Sequence, residues 1–285
     1  MRTITLNNGV EMPQIGYGVF QVSPDEAERC VADALSVGYR MVDTAQAYQN
    51  EEGVGRAIQK SGIKREDLFV VDKIWFSQYA GDSATKSIED SLRKLGTDYI
   101  DLMLLHQPYG DRYNAYRDLE EALKVGKVRA IGVSNFYSDH LIDLSNFMEV
   151  IPAVNQVETH MFFQQQEARQ YMDELGVKHM SWGPLAEGKN NFFSNEVMKS
   201  IGENHRKSVA QVALRYLLQR DVIVIPKSVR KERMAENFDV FDFELSSEEM
   251  SVLAQLDTHE PVIIPSHHSA EVTKMFMGWS KPIER

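Results

Sequence analysis

The run Tyr39-Arg40-Met41-Val42-Asp43-Thr44-Ala45-Gln46-Ala47-Tyr48 decides how this chain of 285 residues folds. A short apolar strand passes directly into an aspartate, and a tyrosine follows five residues on. A carboxylate closing a buried strand is costly to desolvate unless a cation or hydrogen-bond donors meet it, so Asp43 needs a partner from elsewhere in the chain. Two other strand ends offer one: Leu68-Phe69-Val70-Val71-Asp72-Lys73 finishes on a lysine, and Ile100-Asp101-Leu102-Met103-Leu104-Leu105-His106 on a histidine. Taken singly, each of these residues reads first as a satisfied ion pair or a strand-end cap. Together, on three apolar runs each followed by a helical segment, they read as an α/β fold with its site at the carboxyl ends of the strands.

Working outward, residues 3 to 6 and 10 to 12 flank Asn7-Asn8-Gly9, a tight-turn signal, and predict a β-hairpin capping the bottom of a barrel. Strand and helix then alternate. Ile15 to Val19 is a strand, and Pro24 to Val37 a helix with Ser23 as N-cap and Pro24 at its first position. The Asp43 strand is followed by a helix from Glu51 to Lys60, and the Lys73 strand by one from Ser83 to Leu95 that Gly96 stops. After the His106 strand, Tyr113 to Val125 is helical up to Gly126. Val128 to Val133, Ala153 to Val157 and Val177 to Trp182 are strands five to seven. An irregular stretch runs to about Asn191, a helical pattern covers Val209 to Leu218, and Val222 to Pro226 is strand eight. The strands are continuous apolar runs, and no low-complexity linker interrupts them. The expectation is one domain over residues 1–285, a single (β/α)8 TIM barrel. A doubly wound sheet is disfavoured because Gly16-Tyr17-Gly18 matches only the first half of a G-x-G-x-x-G turn.

Composition narrows the function. Hydrophobic residues make up 43% and charged residues 26%, ordinary for a globular protein, and about 250 residues is usual for one such barrel. A net charge of −11 argues against nucleic-acid or anionic-membrane partners. Cys30, the only cysteine, lies on an apolar stripe with Ala27, Val31 and Ala34, so it reads as core packing and leaves no disulfide or paired-thiol metal site. No histidine pair has helical ligand spacing, and His267 and His268 are adjacent and face different ways, so no metal is expected. The amino-terminal residues lack a signal-peptide apolar region, and no run approaches the ~18 residues of a membrane span; a cytoplasmic monomer is expected.

The strand-end residues suit metal-free carbonyl reduction. Tyrosine, with a pKa near ~10, is a sluggish proton donor at neutral pH unless its anion is stabilised, which a neighbouring lysine can do. Asp43 can hold Lys73 charged, His106 can orient a carbonyl, and Tyr48 can give its proton as the carbon receives hydride. The other strand ends suit a dinucleotide. Ser134, Asn135 and Gln156 offer hydroxyl and amide groups, and Trp182 an indole face for a nicotinamide ring. Four cations in the seven residues Lys227 to Arg233 of an acidic protein oppose the macrodipole of a helix starting there, and a bound phosphate would explain them.

From end to end the chain resembles the aldo-keto reductases. The match rests on Asp43-Thr44-Ala45 with Tyr48, Asn50-Glu51 and Gly55; Lys73-Ile74-Trp75; Asp101 to His106; Gly132-Val133-Ser134-Asn135-Phe136; Asn155-Gln156-Val157-Glu158; Gly183-Pro184-Leu185; and Ile225-Pro226-Lys227-Ser228 with Arg233 and Glu236-Asn237. It is similar in particular to bacterial members of the diketogluconate reductase and glyoxal reductase type. The resemblance implies a tetrad of Asp43, Tyr48, Lys73 and His106, with Tyr48 as proton donor, and an extended NADPH (or NADP+) cofactor. It implies carboxamide contacts at Ser134, Asn135 and Gln156, stacking on Trp182, and further cofactor contacts at Gly18, Val19, Asp43, Gly183, Leu185 and Ile225. It also implies 2′-phosphate contacts at Lys227, Ser228 and Arg233, with Glu236 and Asn237 toward adenine.

By the same resemblance, a small carbonyl substrate meets Phe20, Tyr48, Trp75, His106 and Gln107, with His267, Met275, Phe276 and Trp279 as candidates from the C-terminal loop. Three positions depart from the family pattern: Trp182 where tyrosine is commoner, Asp72 where a small hydroxyl residue precedes the lysine, and Gln107 where tryptophan follows the histidine. Gln107 either faces the pocket, favouring small dicarbonyls and hydroxylated substrates, or points to solvent. The competing readings are a cofactor-binding regulatory barrel with little turnover and a phosphate-binding barrel lyase or isomerase.

Overall fold

The computed structural model describes residues 2–279. Strands β1 (Thr3–Thr5) and β2 (Glu11–Pro13) form the hairpin expected around Asn7-Asn8-Gly9, with Ile4 opposite Met12. Its turn is tied beneath the barrel: Asn8 Nδ2 donates to the Arg129 carbonyl at 2.9 Å and Asn7 Nδ2 to the Pro152 carbonyl at 3.1 Å. Leu6 and Met12 are buried against Met41, Phe69, Leu102, Ala153 and Ile223, closing the lower end of the barrel interior with apolar side chains.

Eight parallel strands follow: β3 (Tyr17–Gly18), β4 (Met41–Asp43), β5 (Phe69–Ile74), β6 (Leu102–Leu105), β7 (Ile131–Ser134), β8 (Val154–Glu158), β9 (Lys178–Trp182) and β10 (Ile223–Val224). Each pairs with its successor, and the ring closes where Ile15 bridges Val224 in parallel. There the Gly16 N–H donates to the Val224 carbonyl at 2.9 Å and the Val224 N–H to the Gln14 carbonyl at 3.0 Å. The (β/α)8 barrel read from the sequence is therefore the fold. Several strands are shorter than their apolar runs: β3 and β10 are two residues long, β6 covers Leu102–Leu105, and β7 starts at Ile131 with Val128 making only a bridge to Ile100.

The helices are α1 (Pro24–Val37), α2 (Glu51–Lys60), α3 (Ser83–Leu95), α4 (Arg112–Lys124), α5 (Ser138–Phe147), α6 (Gln166–Leu175), α7 (Glu196–His205), α8 (Val209–Gln219), α9 (Lys231–Phe238), α10 (Ser247–Ala254) and α11 (Ala270–Gly278). Ser23 caps α1 by accepting the Glu26 N–H, and Gly96 ends α3 in the left-handed region, as their residue types predict. Cys30 is buried in the core, where its stripe placed it. Helices α5, α6 and α7, each of 10 residues, and α10 and α11 are additional to those expected from the sequence. α5 buries only Leu141 and Leu144, and α6 only Met172, too little for an apolar stripe to stand out. Among the described residues, no helix is long and apolar enough to cross a membrane.

Candidate active site

Two buried amides build the loop that carries Tyr48. After β4 the chain makes a single 3-10 turn, Gln46–Tyr48, whose first side chain bonds back into α3: Gln46 Nε2 donates to Ser91 Oγ at 3.0 Å while its Oε1 accepts the Trp75 N–H at 3.2 Å. Asn50 closes the other side, donating to the Val19 and Val22 carbonyls at 3.0 Å each and accepting from Thr44 Oγ1 at 2.9 Å. Unpaired buried amides are penalised, so these bonds fix the loop and the direction of Tyr48. Gly55, on α2 behind this loop, cannot carry a side chain: a Cβ there would lie 2.6 Å from the Leu95 carbonyl oxygen.

Lys73 is fully buried. Its ammonium donates to Asp43 Oδ1 at 2.6 Å, to the Thr44 carbonyl at 2.8 Å and to the Tyr48 hydroxyl at 3.5 Å. The second oxygen of Asp43 accepts Gln156 Nε2 at 2.7 Å. Asp43, met by a cation and an amide, thus has the partners that its position at a strand end demands. Burial opposes the Lys73 charge, but Asp43 and then Tyr48 outweigh it and the lysine pKa rises. The Tyr48 pKa is also raised: burial dominates, and Lys73 offsets it only in part. The phenol is therefore more firmly protonated than a lysine neighbour alone would make it. Burial, then the Lys73 charge, hold His106 well below its ordinary value, so its imidazole is neutral at neutral pH. The His106 ring stands edge-on to Tyr48 at 5.7 Å and to Trp75 at 5.2 Å between centroids.

Asp43, Tyr48 and His106 line a cavity of about 690 Å³, with Lys73 buried behind them. Of the residues singled out in the sequence, Gly18, Phe20, Trp75, Gln107, Ser134, Asn135, Gln156, Trp182, Gly183, Leu185, Ile225 and Lys227 line it. Val19 is buried behind the wall, its N–H donating to the Asp43 carbonyl at 3.1 Å. Ser228, Arg233, Glu236 and Asn237 do not line the cavity; they lie on the segment and helix that continue from its Ile225–Lys227 edge. Of the C-terminal candidates, Phe276 and Trp279 form part of the wall. His267 lies behind Phe276, stacked on it with ring centroids 5.5 Å apart, and Met275 faces outward, 38% exposed. Gln107 does not point to solvent: it is 4% exposed, and Tyr79 pins its backbone by bonding to both its carbonyl and its N–H. Its side-chain Oε1 is buried and has no hydrogen-bond partner among the described residues. Ile264 and Glu187 also line the cavity and were not foreseen. The signal for Ile264 was present, since Val262-Ile263-Ile264 is an apolar run between two prolines in an otherwise polar tail.

The residues at hand suit a dinucleotide. Gln156 Oε1 takes part in no bond within the described protein, and Ser134 and Asn135 sit beside it, Asn135 Nδ2 donating to Ser134 Oγ at 3.2 Å. Trp182 is oriented by donating Nε1–H to Asn135 Oδ1 at 2.9 Å. Gly18 lets backbones approach, since a Cβ there would be 3.2 Å from the Ile225 carbonyl oxygen. The basic stretch divides: Lys227 and Arg230 precede α9, and Lys231 and Arg233 lie in its first turn, so only the latter two oppose the helix dipole directly. Among the described residues, Lys227, Arg230 and Arg233 have no carboxylate within ion-pair distance and are exposed, whereas Lys231 lies 3.9 Å from Asp33.

A parallel barrel with an aspartate, tyrosine, lysine and histidine converging at the carboxyl ends of three neighbouring strands defines a class of barrel with a buried cluster of ionisable groups beneath its mouth. Residues 12–258 match the model of the aldo/keto reductase family, and the chain belongs to that family. It is 47% identical over 262 residues to glyoxal reductase of Bacillus subtilis (strain 168), covering 91% of this chain and 94% of that protein. It is 40% identical over 257 residues to methylglyoxal reductase DkgA of Escherichia coli (strain K12), covering 89% and 93%. The fold superposes on a crystal structure of an aldo/keto reductase from Brucella melitensis with a TM-score of 0.87 at 43% identity, covering 90% of this chain and 99% of that one. It also superposes on a Bombyx mori aldo-keto reductase in complex with NADP with a TM-score of 0.88 at 32% identity, covering 94% and 99%.

Proposed function

We propose that the protein reduces aldehydes and ketones to alcohols with NADPH, using Tyr48 as the proton donor. The observation that carries this is the buried Lys73 ammonium, held between Asp43 at 2.6 Å and the Tyr48 hydroxyl at 3.5 Å under a cavity that an aromatic wall and His106 complete. Bound NADPH supplies the hydride. Neutral His106 can donate a hydrogen bond to the substrate oxygen, and Tyr48 gives that oxygen its proton. Lys73 stabilises the resulting phenolate, and Asp43 keeps Lys73 charged. Gln156 Oε1, with Ser134 and Asn135, suits a carboxamide, and Trp182 offers a face for the nicotinamide. Lys227 and Arg233, without an ion-pair partner among the described residues, are cations suited to a 2′-phosphate, with Ser228 beside them and Glu236 and Asn237 further along α9.

Consumption of NADPH on mixing with methylglyoxal or benzaldehyde, followed by absorbance, tests the reading; a regulatory barrel, a lyase or an isomerase would leave the cofactor intact. Tyr48→Phe should keep NADPH binding and lose turnover by roughly 100 to 10,000-fold. The same reading has the protein acting as a monomer in the cytoplasm, and light scattering behind a sizing column tests the first point.

The substrate class follows from Gln107. Gln107 lines the cavity, and its side-chain amide N–H can donate to a second oxygen on the carbon next to the carbonyl. We therefore favour small dicarbonyls and hydroxylated carbonyls such as keto-sugars over unsubstituted alkyl aldehydes of equal size, consistent with the names of the bacterial relatives. Gln107→Trp should narrow the ratio of kcat/KM between methylglyoxal and butanal, and an unchanged ratio would remove Gln107 from the selectivity.

A further inference from the structure

Glu158 closes β8 two residues beyond Gln156, yet its carboxylate turns to a loop. Val262-Ile263-Ile264 lies between Pro261 and Pro265, neither of which has an N–H. Among the described residues, the backbone N–H groups from Glu260 to Ser266 that find a partner are those of Val262, Ile263 and Ile264. All three donate to Glu158: at 2.7 and 2.8 Å to Oε1 and at 3.2 Å to Oε2. His160 is a fourth donor. Its Nδ1 accepts the Phe162 N–H at 3.2 Å, which leaves Nε2 to carry the proton that meets Glu158 Oε1 at 3.1 Å. Successive N–H groups converging on one carboxylate make a strong anion seat, and here the protein supplies its own anion. Burial alone would raise the Glu158 pKa, but His160 and the three backbone donors outweigh it, so the group stays ionised.

The seated segment reaches the substrate. Ile264 lines the cavity. Ile263 packs over Gly183, where a Cβ would meet its Cδ1 at 2.4 Å, and its carbonyl accepts Lys189 Nζ at 3.0 Å, joining the segment to the loop after β9. Further on, Phe276 and Trp279 complete the wall, and the Trp279 carbonyl accepts the Trp75 indole N–H at 3.2 Å. A segment without regular secondary structure is thus held against the barrel mouth largely through one side chain.

We propose that Glu158 is a positioning residue for substrate binding: its carboxylate seats Val262–Ile264 and so sets the shape of the C-terminal wall, while proton transfer and cofactor binding rest on other residues. This role rests on the reductase reading above, but its first test does not need turnover. In Glu158→Gln the shape is kept, the charge is lost, and one acceptor becomes a donor facing N–H groups. Hydrogen exchange should then show the amides of residues 262 to 264 exchanging at least about tenfold faster, with the barrel strands unchanged. In kinetics, KM for benzaldehyde should rise about tenfold, with kcat and NADPH affinity within about twofold. Acetaldehyde, which fills only a small part of the 690 Å³ cavity, should keep its KM. Glu158→Asp, which keeps the charge but retracts it, should fall between the two, and it carries the test if Glu158→Gln does not fold. Adding Ile264→Ala to Glu158→Gln should cost less than the sum of the single changes, because both act through one wall. Unchanged exchange at 262 to 264, equal KM losses for the two aldehydes, or a fall in kcat at constant KM would overturn the role. A wild-type protein that oxidised no NADPH would overturn the reductase reading, whatever the exchange result.

Discussion

Lys73→Met removes the charge around which the site is built, and its consequences can be worked out separately for chemistry and stability. In the folded protein the ammonium lies 3.5 Å from the Tyr48 hydroxyl. At an effective dielectric of about 20, a unit charge at that distance favours a phenolate by about 5 kcal/mol. If about half of the phenolate charge has developed at the transition state, the loss is roughly 2 kcal/mol, or some 30 to 100-fold in the rate of the chemical step. The neighbouring charge is also what opposes the burial that raises the Tyr48 pKa, so in the alcohol-oxidation direction, where the phenolate is the base, the rise of rate with pH should move to higher pH. Stability should fall as well, because Asp43 is left buried without its cation. Breaking such a pair costs ~3 to 5 kcal/mol, and the bond from Gln156 to the other Asp43 oxygen places the expectation at the lower figure. Single-turnover mixing with saturating NADPH and methylglyoxal reads the first effect, and thermal denaturation the second. Lys73→Met combined with Asp43→Asn should recover part of the stability and none of the rate. A variant within threefold of wild type in single turnover, with an unmoved pH profile, would refute the electrostatic role of Lys73.

Arg233→Ala should weaken NADPH by roughly 10 to 150-fold, the worth of one charge-assisted bond, and leave NADH nearly unchanged; equal losses in a fluorescence titration would show that the 2′-phosphate lies elsewhere. Asp72→Ser should stabilise the protein, with a sign set by linkage. Burial first, and then the nearby Glu51, raise the Asp72 pKa in the folded state, so its contribution is full below the unfolded value of about 4 and is lost as pH rises through the folded one. The melting temperature of Asp72→Ser relative to wild type should therefore climb from pH 4 upward, toward ~2 to 4 °C for each kcal/mol gained, and a difference that stayed flat or narrowed would contradict the shift.

The barrel and the polar groups on its strands were legible because both are local. The apolar runs of β4, β5 and β6 carry an ionisable residue at or next to their carboxyl ends, Asp43, Lys73 and His106, and a parallel barrel leaves those ends one place to meet. The caps of α1 and α3 were readable for the same reason: Ser23 with Pro24, and Gly96, act within a turn of their own positions. Helices α5 and α6 were not, since α5 buries two side chains and α6 one, and their stability comes from packing on the barrel rather than from a pattern in their own residues.

The wall of the cavity was illegible for a further reason. Residues 260 to 268 carry no periodic signal, and what orders them is a carboxylate more than a hundred positions earlier in the chain. Glu158 read as part of a motif around Gln156, and nothing in its spacing pointed to Val262. The burial of Gln107 was undecidable in the same way, because it depends on Tyr79, 28 positions away, bonding to its backbone from the neighbouring strand's loop. The chemistry of this site therefore resides in strand ends that declare themselves, whereas its selectivity resides in long-range hydrogen bonds to irregular backbone. A chain can keep Asp43, Tyr48, Lys73 and His106 unchanged while Gln107, Ile264 and the grip of Glu158 vary, so relatives that share the tetrad can differ in the carbonyl compounds they admit.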